Sequence, residues 1–115
     1  GVGPVADGAT LAAGPWAAAP ALAARIPMII GYCADEATLF AGVPDPATFE
    51  LDWATLPARL EARLPLSEQE IEPVIAAYRA ARPLSSASDE FFRVVSDGTF
   101  VRDMIRMADL KAAQE

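Results

Sequence analysis

Histidine is missing from this 115-residue chain, cysteine occurs once, and Lys and Arg together number 9 against 16 Asp and Glu, giving a net charge of −7. Each shortage excludes something. Without histidine, the general base of a serine hydrolase cannot come from these residues, so a complete Ser/His machine is not among them. A single cysteine, Cys33, cannot close an internal disulfide, which fits a reducing and hence cytoplasmic setting. There is no block of Lys or Arg to grip a phosphate backbone, so nucleic acid is not an expected partner. The longest apolar stretches fall well short of a membrane span, and no basic stretch leads into an apolar one as in a secretory signal. A membrane is therefore not an expected partner. The acids Asp35, Glu36, Asp45, Glu50 and Asp52 lack regular ligand spacing and any His or Cys company, so neither a metal nor another cofactor is expected. The chain also lacks an initiator methionine and opens on Gly1-Val2-Gly3-Pro4 as though entering from upstream structure.

What remains suffices for one folded unit. Hydrophobic residues make up 53% and charged residues 22%, enough apolar material for a core. The acidic excess favours solubility without naming a substrate. Residues 1–25 read as a loop region, with turn signals at Gly3-Pro4 and Asp7-Gly8, a stop at Gly14-Pro15, and an alanine-rich stretch from Trp16 to Arg25 broken by Pro20. Ile26 to Tyr32 reads as a buried strand, because a continuous apolar run suits a strand covered on both faces. Asp35 to Ala41 reads as a short helix that breaks at Gly42-Val43-Pro44. The strand and this helix together occupy 26–41.

From residue 52 to 115 the pattern is helical. Thr55 is a plausible N-cap with Pro57 in the first turn, and Leu56, Leu60 and Leu64 share a face. Ser67 and Glu70 form a capping box ahead of the stripe Ile71, Val74, Ile75 and Tyr78, and Pro83 ends that helix. Ser88 begins the next, with Phe91, Phe92 and Val95 inward. Ser96-Asp97-Gly98 reads as a break or cap. Phe100, Val101, Met104, Ile105 and Ala108 define the last helix. One strand cannot satisfy its own backbone groups, so a strand followed by about four helices implies sheet neighbours elsewhere, in the Val5 segment, in a second copy or in further polypeptide.

Two adjacent carboxylates, Asp35 and Glu36, follow the apolar run. They are either a solvated pair at a helix N-terminus, where negative charge is favoured, or the place of a triad acid. The wording of the segment resembles the type B carboxylesterases, the serine esterases that include cholinesterases and bacterial para-nitrobenzyl esterases. In that family an apolar stretch ends in Gly and is followed by Asp-Glu-Gly-x-x-Phe; here the run is Ile26-Pro27-Met28-Ile29-Ile30-Gly31-Tyr32-Cys33-Ala34-Asp35-Glu36-Ala37-Thr38-Leu39-Phe40. Ala37 stands where the family has Gly, and Cys33 where it often has Asn or Thr. Gly3 to Leu11 is similar to a Pro-Val-x-Asp-Gly-x-x-Leu segment upstream of the acid. Ser96 to Phe100 is similar to a Ser-Asp-x-x-Phe element downstream.

The resemblance implies a segment of a larger α/β-hydrolase domain covering 1–115, an α/β-hydrolase fragment with one central strand. It implies a parent that hydrolyses small carboxylic esters through an acyl-enzyme, with Glu36 as the triad acid. The Gly-x-Ser-x-Gly elbow of the nucleophile is absent here, so the partner is the remainder of the esterase chain, carrying Ser and His, and the chain alone is expected to be inactive. Leu39 and Phe40 either pack the short helix onto the core or, by the resemblance, border the substrate pocket. The competing expectation is a non-catalytic helical interaction module that self-associates.

Overall fold

The computed structural model describes residues 5–9 and 23–114. Expectations for 1–4 and 10–22, including the Gly14-Pro15 stop and the alanine-rich stretch from Trp16, lie outside the described residues. Residues 32–103 gather into one compact unit, and residues 1–31 with 104–115 group as a second.

The central strand of the α/β-hydrolase expectation is corrected by the structure: no strand or ladder is present among the described residues. Ile26 to Tyr32 runs without regular structure, with Ile29 fully exposed and Ile26 61% exposed. The physical reason lies in the ladder. A strand is held by its neighbours, Pro27 has no N–H to give, and the Val5 segment stays exposed and unpaired in any ladder. An apolar run alone marks what would be buried if partners existed; it does not create the partners. In the same unit the Asp7-Gly8 turn forms as expected. Gly8 takes a φ of +75°, which suits glycine, and the Asp7 carboxylate accepts the Ala9 N–H at 2.9 Å.

Every regular element of the 32–103 unit is helical. Glu36 and Ala37 open a helical turn that continues as a wide π turn over Thr38–Gly42, close to the expected short helix and its break. A 3₁₀ turn follows over Pro46–Glu50. Helix α1 spans Leu56–Glu61, α2 Glu68–Ala81 and α3 Ala87–Ser96. A second π turn, Asp97–Val101, joins α3 to α4, Arg102–Ala112, so at Ser96-Asp97-Gly98 the helix widens to π hydrogen bonding and does not end.

Leu56 and Leu60 are fully buried on α1, and Leu64 joins them because its N–H still bonds the Leu60 carbonyl beyond the helix end. Ile71 and Ile75 of α2 are buried, with Val74 and Tyr78 packed beside them. Ala87, Phe91, Phe92, Val94 and Val95 of α3 complete the core with Ala37 and Ala41. Burying a Leu, Ile or Phe side chain yields roughly 1.5–3 kcal/mol each, so this cluster carries most of the unit's stability.

Helix ends are closed by local bonds. Glu70 reaches back to the Ser67 N–H at 2.8 Å, as the capping box requires. A second box, Ser86 with Asp89, caps α3, whose first residue, Ala87, is one ahead of the expected Ser88 start. At Thr55 the hydroxyl bonds back to Asp52 and leaves the α1 donors alone, so Thr55 caps by position only. In the other unit, Lys111 donates to the Ala23 and Ala24 carbonyls and to Gln114.

Candidate functional site

Glu36 stands where irregular chain turns into helix. Its Oε1 accepts the N–H of Cys33, three residues back, at 2.9 Å. The Thr38 N–H and hydroxyl both donate to the Asp35 carbonyl, at 3.1 and 2.5 Å. Short-range bonds therefore hold the turn from residue 33 to 38 in one shape. Oε2 of Glu36 has no donor among the described residues, and the side chain is half-buried.

One residue further on, the Ala37 N–H donates to Ser96 Oγ at 3.0 Å. The bond spans 59 positions of sequence and is buried at both ends. N–H groups in the first turn of a helix have no partner within it, so an acceptor must come from elsewhere. Here the C-terminal end of α3 provides it. The rings of Phe40 and Phe100 stack nearby, with centroids 5.5 Å apart and planes 25° apart. Two segments that the sequence singled out separately, Gly31–Phe40 and Ser96–Phe100, thus meet at two points.

The α3 end is itself anchored. Tyr78 on α2 donates its hydroxyl to Asp97 Oδ2 at 2.6 Å. Burial, and then this bond to a carboxylate, push the Tyr78 phenol well above its ordinary range, so it remains a donor at any physiological pH. Ser88, two turns earlier on α3, makes a second long-range tether: its Oγ accepts the Leu51 N–H at 3.0 Å.

Asp35 borders a cleft of about 510 Å³ shared with Thr38, Arg82, Phe92 and Arg93. Leu39 and Phe40, the expected pocket residues, do not line this cleft; they are 60% and 57% exposed. The structure thus places Phe40 against Phe100 and leaves Leu39 on the surface. Cys33 is exposed, and among the described residues no group of three or more His, Cys, Asp or Glu could hold a metal ion.

Two residues escaped the sequence reading. Ser96 lies in a stretch that reads as a break or cap, and nothing local shows that its hydroxyl would serve a distant N–H. Glu90 is 1% exposed with neither carboxylate oxygen hydrogen-bonded. A signal for it existed: three residues after Ala87 and four before Val94, Glu90 falls on the buried face of α3.

Chemically, the turn presents a carboxylate held at one oxygen, with no donor to the other among the described residues. It can accept an N–H from an imidazole and offset its charge, but it cannot activate a nucleophile alone. Comparisons with protein-family models, with characterised proteins and with solved structures returned no match. No described helix is long and apolar enough to cross a membrane.

Proposed function

We propose that this chain contributes the acid of a Ser–acid–His triad to a serine carboxylesterase, with Glu36 as that acid. These residues contain no histidine and no Gly-x-Ser-x-Gly elbow, so in this reading the base and the nucleophile come from polypeptide outside them. The serine attacks the ester carbonyl, and the histidine takes its proton and becomes positive. Glu36 accepts the other ring N–H through Oε2, fixing the tautomer and offsetting the charge. The histidine gives the serine's proton to the departing alcohol, which leaves the acyl-enzyme; it then takes a proton from water, whose attack releases the carboxylic acid and restores the serine. Leu39 and Phe40 border the small ester substrate in this reading.

The observation that supports the proposal is the Ala37–Ser96 bond with the Phe40–Phe100 stack beside it. Those two contacts join the acid-bearing motif to the Ser-Asp-x-x-Phe element that resembles the same family. The geometry is that of a rigid platform for one carboxylate. The test is pre-steady-state hydrolysis of para-nitrophenyl acetate by the complete polypeptide that includes these residues. The expected result is a burst of para-nitrophenol equal to the enzyme concentration, and none from the 115-residue chain alone. Turnover by the isolated chain would overturn the division of labour, and no hydrolysis by the complete polypeptide would overturn the activity.

A second reading, a non-catalytic module that self-associates, draws on the exposure of Ile26, Met28 and Ile29. Light scattering tests it: a monomer across micromolar concentrations counts against it.

A further inference from the structure

The Ala37–Ser96 bond has a functional consequence if Glu36 is the triad acid. Ser96 is 2% exposed and Ala37 1% exposed, so water does not replace either partner. Ala37 directly follows Glu36, and its N–H is one of the donors a helix start leaves open. The Cys33 N–H fixes the carboxylate relative to its own turn. Only a bond from outside the turn fixes that turn relative to the rest of the protein. Ser96 supplies it from the end of α3, which Tyr78 in turn ties to α2 through Asp97.

We propose that Ser96 is a positioning residue for the Glu36 carboxylate, acting through the Ala37 N–H; this rests on the esterase reading above. A triad acid must stay within hydrogen-bond reach of the imidazole through the whole cycle. Displacing a reacting array by about 1 Å costs on the order of 100-fold in rate. Loss of the Ser96 acceptor leaves the Ala37 N–H buried and unpaired, and the turn moves to find a partner. The rate then falls through geometry while substrate binding stays as it was.

Ser88 provides the matched control. It lies on the same helix, is also buried, and accepts a distant backbone N–H at the same 3.0 Å, but its tether goes to Leu51 and not to the acid turn. The experiment compares Ser96→Ala, Ser96→Cys and Ser88→Ala in the complete polypeptide with para-nitrophenyl acetate, beside Glu36→Gln. Cysteine fills the site at 96 with a slightly larger group and replaces the strong acceptor by a weak one, so it reports if the alanine variant fails to fold for want of volume. Melting temperatures fall comparably in Ser96→Ala and Ser88→Ala. In Ser96→Ala and Ser96→Cys, kcat falls by roughly 10- to 100-fold with KM within about twofold of the native value. Ser88→Ala keeps most of its kcat. Equal kcat losses at 96 and 88, or none at 96, overturn the positioning role while a dead Glu36→Gln keeps the esterase reading. An active Glu36→Gln overturns the esterase reading itself.

Discussion

At Glu90 a carboxyl group sits 1% exposed with neither oxygen hydrogen-bonded. Burial raises its pKa, and the charges of Arg93, Arg82 and Arg79 only partly offset that effect. The raised value has a definite sign in stability. The folded state holds this proton more tightly than the unfolded chain, so the contribution is full below the unfolded value of about 4.3 and is lost as pH rises through the folded value. Asp52, Glu70 and Asp89 have the opposite sign. Hydrogen bonds from Thr55, Ser67 and Ser86 lower their values, so their contributions stand above the unfolded values and are lost as pH falls through the folded ones. Glu90→Gln, neutral at every pH, is expected to be more stable than the native chain at pH 8, with the gap closing toward pH 4. Urea unfolding at the two pH values checks this; a constant gap contradicts it. The burial of Glu90 was legible from the spacing along α3. Its lack of a partner was not, because that depends on where α2 places Arg79 and Arg82.

The helices of residues 32–103 were readable because each is written locally. Leu56, Leu60 and Leu64 recur at helical spacing in and just beyond α1, Ile71 and Ile75 share a face of α2, and Ser67–Glu70 caps by chemistry contained in four residues. Gly42 is a different case, set by packing between elements. A Cβ there would lie 2.6 Å from the Phe49 ring and 3.0 Å from Phe92, whereas one at Gly31 would meet nothing. Gly42→Ala is expected to destabilise by about 1–3 kcal/mol through overpacking, and Gly31→Ala to stay within about 0.5 kcal/mol. Chemical denaturation midpoints compare them directly. The run from Ile26 to Tyr32 failed as a strand for the converse reason: its pattern is local, but a ladder is not. Ile29→Lys is therefore expected to change the chain's stability by less than about 0.5 kcal/mol, since the side chain is fully exposed. A loss of several kcal/mol, read from urea unfolding, would mean that Ile29 is buried in solution.

For the molecule as a whole, the sequence carried the candidate acid but not its support. Asp35-Glu36 after an apolar run is visible in the letters, and so is Ser96-Asp97 before Phe100. That they touch, through Ala37 and Ser96 and through Phe40 and Phe100, depends on a chain that returns after 59 residues. The packing around the acid was less legible. Leu39 and Phe40 are exposed here, and the 510 Å³ cleft belongs to Asp35, Thr38, Arg82 and their neighbours. Exposure of an aromatic at one turn is set by what packs against it, which local spacing does not encode. The central claim is that the Glu36 carboxylate serves a histidine supplied by other polypeptide, and kcat for ester hydrolysis by the complete polypeptide measures it most directly. Glu36→Gln keeps the shape and removes the charge, and kcat is expected to fall by about 10⁴-fold with an unchanged melting temperature. A kcat within about tenfold of native in a folded Glu36→Gln protein, a loss too small for a triad acid, would contradict the account.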